Sequence, residues 1–299
     1  MVKTAYLAAR GFEKELQHEL THISAVHDRL FITDGPRQNS VWAQSIWEDL
    51  QIVPIKSIGD AAKILRSHSP WWTHYSFNHH RRCELIQESL PKWKVKPIPF
   101  LGPLDDRQFG AFSLLDPQVL IFSHRVSPSI PLGEIEFDEN KEIPPSRAYL
   151  KLWEVMTIDQ VKPEKNQTVI DFGSCPGGWT WVLQSIGCQV ISIDKADLDP
   201  KIAALPHVRF IKKDAFSLKP KDLGPVDWFF SDIICYPQRL FDLINEWVEV
   251  GYCKNFVCTI KFQGKTDFEA IATFQKKWPQ ARLRHLYHNK HEITLLLQL

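Results

Sequence analysis

Short apolar segments alternate with amphipathic ones through the second half of the chain, and this alternation restricts the folds open to it. Five strand-like segments, separated by turns or helix-like segments, are TVIDFG, QVISID, VRFIKKD, VDWFFSD and NFVCTIKF. Such alternation is typical of a parallel sheet with helices on both faces. The last two strand-like segments, ARLRHLY and EITLLLQL, are joined by a short polar loop. We therefore expect an α/β fold with a mostly parallel seven-stranded sheet and a terminal antiparallel hairpin.

The first 140 residues have a mixed pattern. TAYLAA and RLFITDG are strand-like, whereas GFEKELQHEL, SIGDAAKILRS and RRCELIQESL are helix-like. This mixture predicts a smaller α+β module. A proline-rich stretch with one β-like run, PQVLIFSHRV, extends from Pro91 to Pro145. Turn-forming and charged residues place the linker at 138–145, so we expect one domain over 1–140 and another over 141–299.

Composition narrows the class of protein. A chain of 299 residues with 44% hydrophobic and 24% charged residues is long enough for two globular domains. No apolar run reaches the ~18 residues of a membrane span, and charge interrupts the N-terminus too early for a secretory signal. We therefore expect a cytoplasmic protein. The six cysteines form no CxxC pair, and we interpret them as reduced, mostly buried thiols without a metal site or disulfide framework.

A glycine-rich turn joins the first strand of the second domain to its helix, in VIDFGSCPGGWTWVL. In an open α/β sheet, ligands bind beyond the carboxyl ends of the strands. Gly173, Gly177 and Gly178 would let the backbone approach a ligand there, and the following helix offers free N–H groups. The turn is neither a G-x-G-x-x-G dinucleotide motif nor a P-loop, because proline stands in its middle and no Lys-Ser/Thr follows.

Acidic residues end four successive strands: Asp171, Asp194, Asp214 and Asp232. One aspartate at such a position is more often a helix cap or turn former than a ligand-binding group. Four of them favour ligand binding. A carboxylate after the second strand suits a ribose diol, as in nucleotide-binding folds, and a further acid can accept from an adenine amino group.

The glycine turn resembles motif I of the FtsJ-like ribose 2′-O-methyltransferases, which have a Rossmann-like fold and use S-adenosylmethionine. That family carries a Lys–Asp–Lys–Glu tetrad, and each member has a counterpart here in its own local motif. The motifs are PPSRAYLKLWE for Lys151, FFSDIICYP for Asp232, VCTIKFQG for Lys261 and YHNKHEITLLL for Glu292. The resemblance therefore implies that these four residues are catalytic.

Further signatures resemble the RlmM-type large-subunit rRNA cytidine methyltransferases. They are PSR…LKL, CPGGWTW, LYH…EIT and an N-terminal helix that opens with GFEKE. The resemblance is strong over 144–299 and weaker over 1–140, where the chain is shorter than the subgroup's two RNA-binding modules. Another departure is IICYPQR after Asp232, which lacks the Ala-Pro-Asn of single-domain members. The implied substrate is rRNA. Alternatives are tRNA, a messenger cap, or a non-catalytic RNA-binding assembly protein that has retained the fold.

The resemblance also implies roles for the four groups. A ribose 2′-hydroxyl is a poor nucleophile at neutral pH and needs a positioned base. An amine held away from water beside a second cation loses its proton more readily, so Lys261 is a candidate base; alternatively, it only orients the hydroxyl. Lys151 would supply the second cation and fix the hydroxyl, while Asp232 and Glu292 would orient the lysines. Taken singly, Lys151 is more often a solvated helix residue, and Asp232 could cap a helix from Pro237.

For the cofactor, the resemblance implies a set of residues around the glycine turn and the strand-end acids. They are Ser146, Asp171, Gly173, Cys175, Pro176, Gly177, Gly178, Trp179, Asp194, Asp214 and Asp232. Cys175 would contribute its backbone, because methyl transfer needs no cysteine nucleophile. Asp171 would organise the loop, and Trp179 belongs to the core or braces the turn. Ser146 is also the predicted N-cap of the helix that contains RAYLKLWEVMTI. No metal is expected.

Any contact with RNA must come from local patches, because the net charge is only +1. SPWWTHYSFNHHRR (69–82) interleaves aromatic residues with cations, which suits single-stranded RNA; a strand with buried Trp and Tyr before a helix is the favoured interpretation. Further candidates for phosphate contact, or for solvated turns, are Lys92, Lys94, Lys96, Lys212, Lys213, Lys219 and Lys221. The sequence leaves the nucleotide and the oligomeric state open.

Overall fold

Residues 2–299 are described by a computed structural model and divide into two compact units. The first contains the residues up to Ile98 together with Pro103–Phe137, and the second contains Pro99–Gly102 together with Asp138–Leu299. No helix within residues 2–299 is long and apolar enough to cross a membrane. All six cysteines are free thiols, and five of them are buried.

The first unit has the mixed α+β character expected from its sequence. Its strands are β1 (Lys3–Ala8), β2 (Ile23–His27), β3 (Leu30–Asp34), β4 (Ala43–Glu48), β5 (Gln51–Pro54), β6 (Trp72–His74), β7 (Gly110–Asp116), β8 (Val119–Ser123) and β9 (Arg125–Ser127). Its α-helices are α1 (Glu13–Glu19), α2 (Ile58–His68) and α3 (His80–Glu88). One sheet has the strand order β2-β3-β1-β4-β9 and the other β5-β8-β7-β6.

Four strands of the first unit, β2, β4, β5 and β7, were not predicted from the sequence. Of these, β4 and β7 bury polar side chains among apolar ones, since Ser45 in β4 and Ser113 in β7 are fully inaccessible to solvent. A strand buried on both faces lacks the apolar–polar alternation by which half-buried strands are recognised. Trp72 and Tyr75, from the candidate RNA segment 69–82, are also buried, as the favoured interpretation of that segment requires.

The second unit is a single mixed sheet with helices packed on it. Its strands are β10 (Thr168–Phe172), β11 (Gln189–Asp194), β12 (Val208–Lys212), β13 (Trp228–Ser231), β14 (Asn255–Lys261), β15 (Arg282–Arg284) and β16 (Glu292–Gln298). Its α-helices are α4 (Tyr149–Asp159), α5 (Gly178–Ile186), α6 (Pro200–Ala203), α7 (Pro220–Leu223), α8 (Pro237–Val250) and α9 (Phe268–Lys277).

The strand order in this sheet is β12-β11-β10-β13-β14-β16-β15. The first five strands are parallel, and β16 is antiparallel to both of its neighbours. This confirms the predicted fold class, a Rossmann-like sheet with a terminal antiparallel hairpin. The second strand of the hairpin, β16, lies inside the sheet, and β15 forms the edge.

Aromatic packing holds α8 against the middle of the sheet. The helix buries residues spaced three or four apart from Leu240 to Trp247, as expected for one that covers a sheet with a single face. The Trp247 ring lies 6.3 Å from Phe172 of β10 and 5.5 Å from Phe229 of β13, between ring centroids. These contacts fix β10 and β13 side by side under one helix.

The order of strands reverses at β10, with β11 on one side and β13 on the other. Ligands of open α/β sheets bind at such a reversal, beyond the carboxyl ends of the strands. Gly173 follows β10 with φ +74°, and a Cβ there would lie 2.8 Å from the Cα and 2.9 Å from the backbone N of Ile233. Glycine thus lets the end of β10 touch the segment that follows β13.

Gly173→Ala should distort that contact. Gly251, at the C-terminus of α8, has φ +72° and open space around its Cβ position, so Gly251→Ala shares the left-handed backbone cost, about 1 kcal/mol, without the clash. We expect Gly173→Ala to lower the free energy of unfolding by at least about 1 kcal/mol more than Gly251→Ala in urea denaturation. Equal losses in the two variants would contradict the packing described here.

Candidate active site

Four charged side chains from four different elements meet at the carboxyl edge of β13 and β14. Lys151 comes from the buried helix α4, Asp232 follows β13, Lys261 ends β14 and Glu292 begins β16. Lys261 and Glu292 are directly opposite each other in the antiparallel β14–β16 pair, which places their side chains on the same face of the sheet. The tertiary structure therefore brings together all four residues of the predicted tetrad.

The Asp232 carboxylate is the centre of this cluster. Lys151 Nζ donates to both of its oxygens, at 2.7 and 2.9 Å, and also to Glu292 Oε1 at 3.0 Å. Lys261 Nζ lies 3.0 Å from Asp232 Oδ1 and 3.9 Å from Glu292 Oε2, and donates to the Asp232 carbonyl at 2.7 Å. Thr259, two residues before Lys261 on the same strand face, donates to Asp232 Oδ1 at 2.7 Å. Two cations thus balance two anions.

Electrostatics keep the central pair ionised. Burial by itself would raise the pKa of Asp232, but the positive charges of Lys151 and Lys261 outweigh it and hold that pKa below the ordinary value. Burial would likewise lower the pKa of Lys151, and the carboxylates of Asp232 and Glu292 reverse the effect and raise it. At neutral pH, Lys151 is therefore a fixed cation and Asp232 a fixed anion.

A buried carboxylate, Glu154, anchors the loop that precedes Glu292. It lies one helical turn beyond Lys151 on α4 and is 1% exposed. Its oxygens accept hydrogen bonds from the backbone N–H groups of Tyr287 and His288, at 2.7 and 3.0 Å, and lie 2.7 Å from His288 Nδ1. One helix therefore positions two members of the tetrad, Lys151 directly and Glu292 through this loop. In the sequence, this loop is marked by the LYH signature, which by itself does not indicate a contact with Glu154.

A cleft of about 480 Å³ opens beside this cluster. Its lining contains seven of the predicted cofactor-binding residues together with one further member of the tetrad: Ser146, Gly173, Cys175, Pro176, Asp194, Asp214, Asp232 and Lys261. Lys151 and Glu292, 7% and 6% exposed, do not line it. The cleft therefore meets the tetrad at Asp232 and Lys261.

The strand-end acids on the cleft wall are held by the backbone. Asp194 accepts from the N–H groups of Cys175 and Ala196, each at 2.9 Å. Asp214 caps the short 3₁₀ helix Ala215–Ser217 through the N–H of Phe216, at 3.1 Å, and pairs with Lys195 at 2.9 Å. Because each carboxylate oxygen has two lone pairs, both groups can still accept a ligand hydroxyl or amine.

Four predicted cofactor-binding residues lie outside the cleft lining. Gly177 is the N-cap of α5, and a Cβ at Gly178 would lie 3.0 Å from Ser146 Oγ. Trp179 is buried and donates to the Ala148 carbonyl at 2.9 Å, and Asp171 is completely buried. The groups that lie closest to Gly178 are therefore the Ser146 side chain and the backbone N of Tyr149, which would be 3.3 Å from the same Cβ.

Ser146 is not the N-cap that its position suggested. Helix α4 begins at Tyr149 with Ala148 as its N-cap residue, because the chain first has to pass over Gly178. The Ser146 hydroxyl instead lines the cleft, and its buried oxygen has no hydrogen-bond partner among the described residues. A buried hydroxyl without a partner costs about 1–3 kcal/mol, so this oxygen is a candidate contact for a ligand.

Sequence reasoning missed the apolar part of the cleft wall. These residues are Ala148, Ile193, Ala215, Phe216, Ile233 and Ile234. All of them except Ala148 lie within two residues of a strand-end aspartate, so that proximity was the available signal. Among the candidate RNA-contacting lysines, Lys212 pairs with Asp197 and Lys219 with Glu246, whereas Lys92, Lys94 and Lys96 are exposed. Within residues 2–299, no group of three or more His, Cys, Asp or Glu side chains could hold a metal ion.

The buried Glu154 carboxylate should stabilise the protein. Glu154→Ala removes the acceptor of two backbone hydrogen bonds and the partner of His288, and each lost contact of this kind costs about 1–3 kcal/mol. We expect a loss of about 3 kcal/mol in the free energy of unfolding. Glu249→Ala, at an exposed position of α8, is the control and should change stability by less than about 0.5 kcal/mol. Equal values for both variants would show that Glu154 does not anchor the loop.

Asp171 should make stability depend on pH. Burial, reinforced by the negative charges of Asp232 and Asp194, raises its pKa to about 7, despite a hydrogen bond from Thr180. The folded protein then binds this proton more tightly than the unfolded chain does, so Asp171 destabilises the fold above pH 7, and the cost is relieved as pH falls. Relative to Asp171→Asn, the wild type should gain about 2 kcal/mol in the free energy of unfolding between pH 8 and pH 5. Parallel pH profiles for the two proteins would contradict this assignment.

Comparison with known proteins agrees with this geometry. The profile of the FtsJ-like methyltransferase family matches residues 144–285. Proteins named ribosomal RNA large subunit methyltransferase M are similar to about half of the chain. The one from Aromatoleum aromaticum is 32% identical over 169 residues (52% of this chain and 45% of that protein), and the one from Histophilus somni is 28% identical over 171 residues (52% and 47%).

The chain thus spans about half the length of the curated relatives that it matches. Among solved structures, a ribosomal RNA methyltransferase from Plasmodium falciparum is 20% identical with a TM-score of 0.39, covering 51% of this chain and 96% of that one. Three members of the tetrad (Lys151, Asp232 and Lys261), the glycine turn and the five parallel strands lie within the residues that the family profile matches, whereas Glu292 lies beyond them. Residues 144–285 are therefore an FtsJ-like methyltransferase domain.

Proposed function

We propose that this protein transfers a methyl group from S-adenosylmethionine to a ribose 2′-hydroxyl of RNA, and that the RNA is ribosomal. One observation carries the proposal: a charge-balanced cluster of two lysines and two carboxylates opens, through Lys261 and Asp232, into a cleft at the strand-order reversal. Such a cluster can bind a hydroxyl group beside a bound cofactor and accept the proton of that hydroxyl.

The cleft suits S-adenosylmethionine in both chemistry and shape. The buried Ser146 oxygen without a partner supports a polar ligand group at that point, and Gly173, Cys175 and Pro176 of the turn line the same cleft. We propose that Ser146, Gly173, Cys175 and Pro176 hold the cofactor at the turn. Asp194 and Asp214 would receive its ribose and adenine groups, as carboxylates after successive strands do in nucleotide-binding folds.

When bound, S-adenosylmethionine supplies an electrophilic methyl group on a positively charged sulfur. The chain's own task is then to align the hydroxyl and to take up its proton. Lys261 is the amine of the tetrad that lines the cleft; it forms an ion pair with the Asp232 carboxylate and donates a hydrogen bond to the Asp232 carbonyl. Once this amine has released one proton to solvent it has a lone pair, so we propose that the neutral Lys261 then accepts the hydroxyl proton.

The remaining groups of the tetrad set the environment of Lys261. Lys151 donates hydrogen bonds to both Asp232 oxygens and to Glu292, and so fixes the carboxylate that contacts Lys261. Asp232 orients Lys261 and places a negative charge on the wall of the cleft. In this proposal, Lys151 and Glu292 act through Asp232 and Lys261, whereas the sequence-based hypothesis had Lys151 contacting the hydroxyl.

Ribosomal RNA is proposed as the substrate because the curated relatives are named as ribosomal RNA methyltransferases. We propose the first unit as the RNA-recognition module, with exposed Lys92, Lys94 and Lys96 as phosphate contacts. A substrate of this class agrees with the cytoplasmic location expected from the sequence.

Lys261→Ala should abolish transfer without preventing cofactor binding. A general base contributes about 10²–10⁴-fold to rate, so we expect at least a hundredfold loss of methyl incorporation into rRNA from a strain that lacks the protein. The Kd for S-adenosylmethionine, measured by calorimetry, should change by less than about threefold. Lys265→Ala, at an exposed position four residues further on, is the matched control and should retain full activity.

Two outcomes would count against this assignment. Loss of cofactor binding in Lys261→Ala would make the lysine a cofactor-binding residue instead. Full activity of Lys261→Arg would show that orientation of the hydroxyl is enough, because arginine does not release its proton in proteins. A wild-type protein that binds both ligands but transfers no methyl group would be a non-catalytic RNA-binding protein.

A further inference from the structure

We propose that the segment Ile233–Tyr236 and Arg239 form a platform that holds the base of the nucleotide being methylated. The inference rests on the function proposed above and specifies how the same site would recognise its substrate. The segment begins directly after Asp232 and ends at the N-cap of α8. It is therefore tied at one end to the charged cluster and at the other to a helix.

Two side chains of this segment are exposed to an unusual extent. Ile234 is 81% and Tyr236 62% exposed, which makes them the most exposed large hydrophobic residues within residues 2–299; the next, Val2, is 52% exposed. A single exposed hydrophobic residue needs no explanation. Two of them in one short segment that also lines the cleft beside a candidate base do need one, because apolar surface gains free energy when a partner covers it.

Buried residues alternate with these two exposed side chains along the segment. Cys235, between them, is 6% exposed, and Pro237 after them is buried in the first turn of α8. The segment is thus anchored by alternate residues, which leaves Ile234 and Tyr236 free to face solvent. Ile233 and Ile234 also line the cleft that Lys261 and Asp232 enter. A ligand that lies on this segment would therefore reach the reacting groups.

A positive charge completes the platform. Arg239, one turn into α8, stacks its guanidinium on the ring of Phe216, 3.8 Å from the centroid. Phe216 itself lines the cleft. Arg239 is exposed, and none of the ion pairs among the described residues includes it. Stacking fixes the guanidinium beside the apolar residues and leaves its N–H groups available.

This combination selects a nucleotide rather than another partner. A base that is turned out of its stack has flat apolar faces and carries a phosphate on each side, and single-stranded RNA is typically bound by aromatic and aliphatic surfaces with arginine close by. The 2′-hydroxyl that meets Lys261 belongs to the same nucleotide as that base. We infer that Tyr236 and Ile234 contact the base and that Arg239 contacts a neighbouring phosphate.

The test separates RNA binding from cofactor binding and from catalysis. Full-length wild type, Tyr236→Ala, Ile234→Ser, Arg239→Gln and Tyr236→Phe are compared, with Val250→Ala as the control. Val250, 48% exposed at the far end of the same helix, tests the general effect of trimming an exposed hydrophobic residue. The measurements are the Kd for a fluorescein-labelled single-stranded RNA of mixed sequence, the KM for rRNA from a strain that lacks the protein, and the Kd for S-adenosylmethionine.

We expect Tyr236→Ala and Ile234→Ser to weaken RNA binding and to raise the KM for rRNA about tenfold or more, from the usual contribution of one stacked base. Cofactor affinity should stay within threefold of wild type in Tyr236→Ala, whose side chain is absent from the cleft lining. Tyr236→Phe, which keeps the ring, should restore most of the RNA affinity lost in Tyr236→Ala, and Val250→Ala should behave as wild type. Arg239→Gln should weaken RNA binding and reduce its dependence on salt, because a phosphate contact is lost.

Unchanged RNA affinity in Tyr236→Ala and Ile234→Ser, or failure of the wild type to bind the labelled RNA, would overturn the platform. Weakened cofactor binding in Tyr236→Ala would assign the segment to the cofactor and would overturn it as well. If the wild type methylates no RNA but the variants still lose RNA affinity, the proposed function fails while the platform stands. If methylation proceeds with an unchanged KM in the variants, the platform fails while the proposed function stands.

Discussion

The buried contact between Lys151 and Asp232 is the interaction on which the candidate active site depends. Moving either charge out of water costs several kcal/mol, and the mutual attraction repays this only with good geometry and additional partners. Glu292, Lys261 and Thr259 are those partners. Removal of any one charge would leave another buried without compensation. The cluster is therefore a costly arrangement to maintain, which is easier to understand in a functional site than in a purely structural one.

The strand order of the sheet places the residues of this cluster at one edge. Parallel strands β13 and β14 end at the same edge, and the antiparallel insertion of β16 brings the start of a third strand to that edge. Helix α4 then adds Lys151 from one layer above and, through Glu154, fixes the loop that leads to Glu292. Groups up to 141 residues apart in the chain are thereby held by backbone elements rather than by flexible loops, which reduces the entropy lost when a substrate is aligned.

The cleft combines a polar side with an apolar one. Backbone-held carboxylates and an unpartnered serine oxygen form the first, and Phe216, Ile233 and Ile234 contribute to the second. A cofactor with polar groups at both ends and a flat heterocycle needs both kinds of surface. The same apolar side continues to the exposed residues of the segment after Asp232, which links the proposed cofactor site to the proposed base platform.

The sequence alone was enough to predict the sheet of the second unit and its terminal hairpin, because strand periodicity is encoded by neighbouring residues, whereas the four members of the tetrad followed from the resemblance of local motifs to those of a known family. It did not reveal β4 and β7, whose buried Ser45 and Ser113 hide the strand pattern, and it misplaced Ser146 as a helix cap. Only the tertiary structure decided that Gly178 faces the chain itself, that Glu154 anchors the Glu292 loop, and that Ile234 and Tyr236 are left exposed. These features depend on which distant segments come into contact, and no pattern within a single segment contains that information.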